Sequence, residues 1–172
     1  PPAPARGAPR DSRGATARPG RPAEGMGCAS SVEKIVRTVT NAPPSKDDLP
    51  EVLDQLKGAN KPELQRKSTR AVAYLARADD GACQELVREG AVPTLQNWCG
   101  SSDAAVCRGA LQALGAISLD DGGSKLVCTD AFCRQLQGLV KGKDKTVARS
   151  AMATIAQMAA HDDNQVMMAQ AG

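Results

Sequence analysis

The chain has 172 residues, 41% of them hydrophobic, but a single Trp, a single Tyr and a single Phe supply every aromatic ring. Strands are enriched in the aromatic and β-branched residues that are scarce here, which argues against an all-β sandwich or barrel. No stretch of about 18 residues is free of charged or strongly polar side chains, which excludes a membrane-spanning helix. The formal net charge of +3 and pI near 8.7 point toward nucleic acid or an anionic membrane only if the charge lies on the folded body.

It does not lie there. Residues 1–25 hold six Pro, six Ala, five Arg and four Gly, with no apolar side chain larger than Pro or Ala. Such a composition cannot bury enough surface to offset its ordering entropy, so residues 1–30 are expected to be a disordered arm. Five Arg against Asp11 and Glu24 give this arm the whole net charge, and beyond residue 25 the chain balances 17 basic against 17 acidic side chains. A nucleic-acid partner thereby loses its support. The arm reads either as a basic anchor or transit peptide, or as GC-rich upstream sequence read in frame.

Met26 is the first methionine, and Met26-Gly27-Cys28-Ala29-Ser30-Ser31 fits the M-G-x-x-x-[ST] pattern for myristoylation. In a chain begun at Met26, Gly27 would present the acylated amine and Cys28 would take palmitate, the second anchor that stable attachment requires. The alternative is an unmodified linker. Residues 31–48 come next as a short helix and linker. Ser30 and Glu33 are spaced as a capping box, Val32, Ile35, Val36 and Val39 share one face, and Pro43-Pro44 breaks the pattern. The helix is expected either to lie on a membrane surface or to pack as an N-terminal cap on the helices after it.

From residue 49 the chain repeats itself. Leu53, Leu56, Leu64, Val72 and Leu75 precede Asp79-Asp80-Gly81, Leu86 and Gly90. Leu95, Trp98, Val106, Leu114 and Ile117 precede Asp120-Asp121-Gly122 and Leu126. Leu136, Leu139, Val147, Ile155 and Met158 precede Asp162-Asp163-Asn164, Met168 and Gly172, at offsets of 42 and 41 residues. A period near 40 with only helical signals predicts stacked helices. The units are 49–90, 91–130 and 131–172. In each, a short helix begins near a residue such as Pro50 or Pro93, and Gly58, Gly100 or Gly142 is expected to cap its end. A longer helix starts near Pro62, Ala104 or Lys145, and a two-turn helix comes after the acidic turn. Ala71, Ala110, Ala113 and Ala151 allow close helix approach.

The string Leu86-Val87-Arg88-Glu89-Gly90-Ala91-Val92-Pro93-Thr94-Leu95 resembles the armadillo signature, and the long helices from Val106 and Val147 look like that family's third helix. The resemblance covers residues 49–172. It implies an all-α, right-handed α-α superhelix of about three three-helix repeats, truncated inside its array with no polar repeat over the last apolar face. It also implies a concave groove for extended peptides, lined at four-residue steps by Arg66, Arg70 and Tyr74, by Arg108, Gln112 and Ala116, and by Arg149, Ala153 and Gln157. Importin-type members carry Trp and Asn at the second and third of these places, and this chain has neither. The Arg at the first place of every unit is expected to form a guanidinium ladder suited to an acidic or phosphorylated peptide, unless it merely solvates a helix. Gly27 and Cys28 add a resemblance to lipid-anchored, vacuolar-type armadillo scaffold proteins, implying a cytoplasmic adaptor on the cytosolic face of an organelle membrane. The rival reading is a soluble armadillo recruitment segment of a larger regulatory protein, such as a ubiquitin-ligase subunit.

Cys83, Cys99, Cys107, Cys128 and Cys133 form no C-x-x-C pair and fall beside apolar helix faces, where free Cys acts as a small hydrophobe. His161 is the single histidine and lies in a polar turn with no Cys near it in sequence, which argues against a zinc site and against a Cys–His nucleophile. No phosphate loop, dinucleotide fingerprint or nucleophile elbow occurs. The sequence predicts a non-enzymatic protein binder without metal, cofactor or nucleic acid.

Overall fold

The computed structural model describes residues 43–171, so the acylation motif at Gly27 and Cys28 and the helix expected over 31–40 lie outside the described residues. A 3-10 turn at Lys46–Asp48 leads into nine α-helices among those residues. They are α1 (Leu49–Gly58), α2 (Pro62–Ala78), α3 (Asp80–Arg88), α4 (Ala91–Trp98), α5 (Ala104–Ile117), α6 (Asp121–Val127), α7 (Asp130–Val140), α8 (Lys145–Met158) and α9 (Asp162–Ala171). They form three successive triplets of short, long and short helix, and all the regular structure among the described residues is helical.

Each helix start has a local cause. Pro62 occupies the first turn of α2, where its missing N–H costs nothing. Asp103 caps α5 by accepting from the N–H groups of Ala105 and Val106, at 2.9 and 3.2 Å, and Asp144 caps α8 through those of Thr146 and Val147, at 2.8 and 3.2 Å. The acidic turns divide the work between their two residues. Asp79 accepts from Ala82 N–H at 2.6 Å and Asp120 from Gly123 N–H at 2.9 Å, while Asp80 and Asp121 sit in the first turn, where a negative charge meets the helix dipole.

The glycine caps differ from expectation. Gly90, between α3 and α4, has φ +77°, and it alone among the described residues has positive φ. Gly58 is the last residue of α1 instead of lying beyond it. Gly100 and Gly142 come after their helices without a left-handed turn. Each donates its N–H to the carbonyl three residues back, Asn97 and Leu139, at 3.1 Å. The helix end tightens there, and a Cβ on Gly142 would stand 3.0 Å from the Leu139 carbonyl oxygen.

Helices α2, α5 and α8 pack side by side in chain order, with α1, α4 and α7 behind them and α3 against α6. Leu75, Leu86, Leu95, Leu114, Ile117, Phe132 and Leu136 fill the interior. Each fully buried side chain of this size contributes on the order of 1.5–3 kcal/mol. Ala71, Ala110, Ala113 and Ala151 are buried between the long helices, so α2, α5 and α8 approach closely. At the α2–α5 contact, a Cβ on Gly109 would lie 2.3 Å from Thr69 Oγ1. Two expected positions move. Leu126 is half exposed and Val127 takes the buried place that matches Leu86, because the step from α3 to α6 is 41 residues. Ala116, expected in the groove, is buried: eight residues beyond Arg108 the helix face has rotated about 80° into the core.

Candidate functional site

The row of long helices carries a cavity of about 530 Å³. Arg66, Lys67, Thr69 and Arg70 enter it from α2, Ala105, Arg108, Gly109 and Gln112 from α5, and Thr146, Arg149 and Ser150 from α8. Five of these side chains are cationic, and no carboxylate is among them. Arg66, Arg108 and Arg149 meet here because they hold equivalent places on three parallel neighbours, and Arg70 and Gln112 lie one turn further along. A second cavity of about 420 Å³ continues along α2, lined by Arg70, Ala73, Tyr74, Arg77, Ala78 and Gln112. Tyr74 is 45% exposed there, flanked by two arginines. Of the expected groove residues, Arg66, Arg70, Tyr74, Arg108, Gln112 and Arg149 line these two spaces. Gln157 stands apart, with its amide over Gly115, where an added Cβ would meet Gln157 Oε1.

The arginine ladder is not uniform. Arg66 reaches from α2 to the Asp103 carboxylate at the head of α5, with its Nε 3.3 Å from Oδ1 and its second nitrogen on Oδ2. The bond holds the Asp103 carboxyl below the usual carboxylate range, helped by the N–H groups of Val106 and Ala105, and raises the Arg66 guanidinium. Asp144 repeats the place of Asp103 one unit later. Its carboxyl is lowered by the Thr146 hydroxyl, the Val147 and Thr146 N–H groups, and the field of Arg108. Among the described residues, Arg108, Arg149, Arg70 and Lys67 have no ion pair within 4 Å. The sequence reading missed Asp103 and Asp144. The signal for them was available: an Asp immediately before each of the two later long helices.

The five described cysteines are buried and unbridged. Burial raises their thiols, that of Cys83 to about 11 and that of Cys128 to about 12. Among the described residues, no cluster of three metal-ligating side chains occurs and no helix is long and apolar enough to cross a membrane.

No protein-family profile and no curated protein matches the chain. Solved structures do. An engineered protein superposes with TM-score 0.69 at 22% identity, over 83% of this chain and 68% of its own. A designed armadillo repeat protein in complex with the peptide (KR)4 superposes with TM-score 0.69 at 17% identity, over 82% of this chain and 62% of its own. A computationally designed armadillo repeat protein for modular peptide recognition gives TM-score 0.62 at 21% identity, over 72% and 52%. The fold is therefore an armadillo-type helical repeat solenoid. At these identities the likeness is one of fold, and the chain spans about half to two thirds of the designed armadillo proteins' length.

Proposed function

We propose that this chain is a non-enzymatic protein-binding scaffold whose row of long helices takes an extended acidic peptide. One observation carries the reading: a single cavity gathers Arg66, Lys67, Arg70, Arg108 and Arg149 from three helices without a carboxylate in its lining. Guanidinium groups in such a row suit bidentate pairing with Asp or Glu, and complementary charge sets both partner choice and encounter rate. One of the similar designed armadillo proteins was solved with a peptide of Lys and Arg. Here the lining has the sign that repels such a ligand.

Fluorescence polarisation with the full chain tests the reading, using one Asp/Glu-rich, one Lys/Arg-rich and one Gly/Ser peptide of equal length. The acidic peptide is expected to bind and to weaken with salt, and the other two to fail. Replacing Arg66, Arg108 and Arg149 together by Glu should abolish capture, and unchanged binding would overturn the assignment.

For a chain begun at Met26, we further propose myristate on Gly27 and palmitate on Cys28, tethering a cytoplasmic scaffold to the cytosolic face of an organelle membrane in the manner of vacuolar-type armadillo proteins. Its support is the acylation pattern at the first methionine. Intact mass of the native protein decides it: an acylated Gly27 terminus supports the tether, and an unmodified chain favours the soluble recruitment segment.

A further inference from the structure

We propose that the first cavity is a phosphoryl receptor, in which a phosphorylated Ser or Thr of the bound peptide seats between Arg70, Arg108 and Arg149. The inference rests on the acidic-peptide reading and narrows it.

Arg66 is engaged by Asp103, so the row does not offer three equal carboxylate sites. Lys67, Arg70, Arg108 and Arg149 remain, contributed by three helices to one space of about 530 Å³. One carboxylate brings a single charge and two oxygens. A phosphoryl group brings about −1.5 to −2 and three acceptor oxygens, the closer match to several converging cations.

The hydroxyl groups sharpen the choice. Thr69 Oγ1 donates to the Arg66 carbonyl at 3.0 Å, Thr146 Oγ1 to Asp144 at 2.6 Å and Ser150 Oγ to the Thr146 carbonyl at 3.2 Å. Their protons are committed, so guanidinium and ammonium groups supply most of the free donors, with the Gln112 amide at the edge. Gly109 lets the Thr69 side chain seat directly on the α5 backbone, which holds α2 and α5 close and so brings Arg70 and Arg108 to one space. The lining has no aromatic ring to stack a nucleobase and no large apolar side chain to enter a bilayer, which favours a peptide over nucleic acid or a lipid headgroup.

The test uses the full chain and three peptides of one acidic sequence, with Ser, Glu or phosphoserine at the centre, measured by calorimetry. The phosphoserine peptide is expected to bind about tenfold more tightly than the Glu peptide. The double variant Arg70→Ala/Arg108→Ala should erase that preference while retaining the helical circular dichroism spectrum. Equal affinity for the Glu and phosphoserine peptides would overturn the phosphoryl receptor and leave the acidic-peptide reading standing. Failure of all three would remove both. Binding of inorganic phosphate or of phosphoinositide vesicles, without a gain from phosphoserine over Glu, would also overturn the peptide assignment.

Discussion

Asp103 closes two structural ends at once: its carboxylate accepts from the Ala105 and Val106 N–H groups at the head of α5, and from the Arg66 guanidinium of α2. A helix cap and a link between repeats thus share one side chain. Asp103→Asn keeps an oxygen for the cap and removes the charge, whereas Asp103→Ala removes both. Thermal melting should place Asp103→Ala lowest and Asp103→Asn between it and the parent. Because Asp103→Asn also releases Arg66 into the groove, the acidic peptide should bind it more tightly than the parent. Weaker binding would mean that Arg66 serves only structure.

The same carboxylates set the acid limit of stability. Asp79, Asp103 and Asp144 are all held below the ordinary carboxylate range, by backbone and side-chain donors. A depressed folded-state value contributes stability that is fully present above the unfolded value, near about 3.9, and is lost as pH falls through the folded values. The melting temperature should therefore hold from about pH 6 to pH 4.5 and drop below pH 4. Asp103→Asn should start lower and fall less steeply, because one proton-linked group is gone. A parallel decline of the two proteins would contradict the assigned role of Asp103.

Glycine substitutions should separate sterics from conformational entropy. A Cβ on Gly123 would lie 2.3 Å from the Ile117 carbonyl oxygen and 2.7 Å from its Cγ2, in buried surroundings that cannot withdraw. Gly123→Ala is expected to cost about 1–3 kcal/mol or more. Gly138 lies inside α7 with nothing within 4 Å of the same position. Gly138→Ala should stabilise by up to about 1 kcal/mol, since glycine only loosens a helix there. Urea denaturation read by circular dichroism checks both signs.

The reach of each local signal decides how much of the fold and groove was legible in the sequence. The starts of α2, α5 and α8 at Pro62, Ala104 and Lys145 were legible because proline and apolar spacing act within one turn. So was the bend at Gly90, which only a residue at ease with positive φ can make. The ends of α4 and α7 were not: Gly100 and Gly142 look like left-handed caps in sequence, but hydrogen bonds to Asn97 and Leu139 close those turns instead. The Leu126 misplacement is a one-residue slip, and on a short helix one residue turns the side chain by about 100°. The convergence of Arg66, Arg108 and Arg149 could be read from the repeat. The engagement of Arg66 by Asp103 could not, because it spans 37 residues and depends on how one repeat seats on the next.

The cysteines should be inert until the fold opens. Burial raises the thiols of Cys83, Cys99, Cys107, Cys128 and Cys133, and nucleophilic attack requires the thiolate. Cys128 and Cys133 place their sulfurs 4.0 Å apart, in contact but unbonded. In a Cys28→Ser variant at about pH 8, alkylation should run about a hundredfold or more below the rate of the urea-unfolded chain, in which all five react. Mass spectrometry that found one of the five labelled rapidly in the native state would show that its helix opens locally.

Asn164 joins the last two repeats. Its side-chain amide, buried at 4% exposure, donates to Ser124 Oγ at 2.6 Å on α6 and to the Met158 carbonyl at 2.8 Å at the end of α8. Asn164→Ala leaves both acceptors without this donor in a buried seam, at a cost of about 1–3 kcal/mol. Thr154, whose hydroxyl lies 3.0 Å from the Leu111 carbonyl on α5, marks the same boundary, and Thr154→Val should add about 0.5–1.5 kcal/mol. In a solenoid each repeat rests on its neighbour, so weakening one seam should release the terminal unit before the rest. Trp98, the single tryptophan, lies in the preceding repeat and reports on that part alone. In the double variant, circular dichroism should begin to fall at lower urea than Trp98 fluorescence changes, whereas the parent gives one transition by both probes. Coincident transitions in the variant would mean that the array unfolds as one cooperative body and that Asn164 stabilises it as a whole.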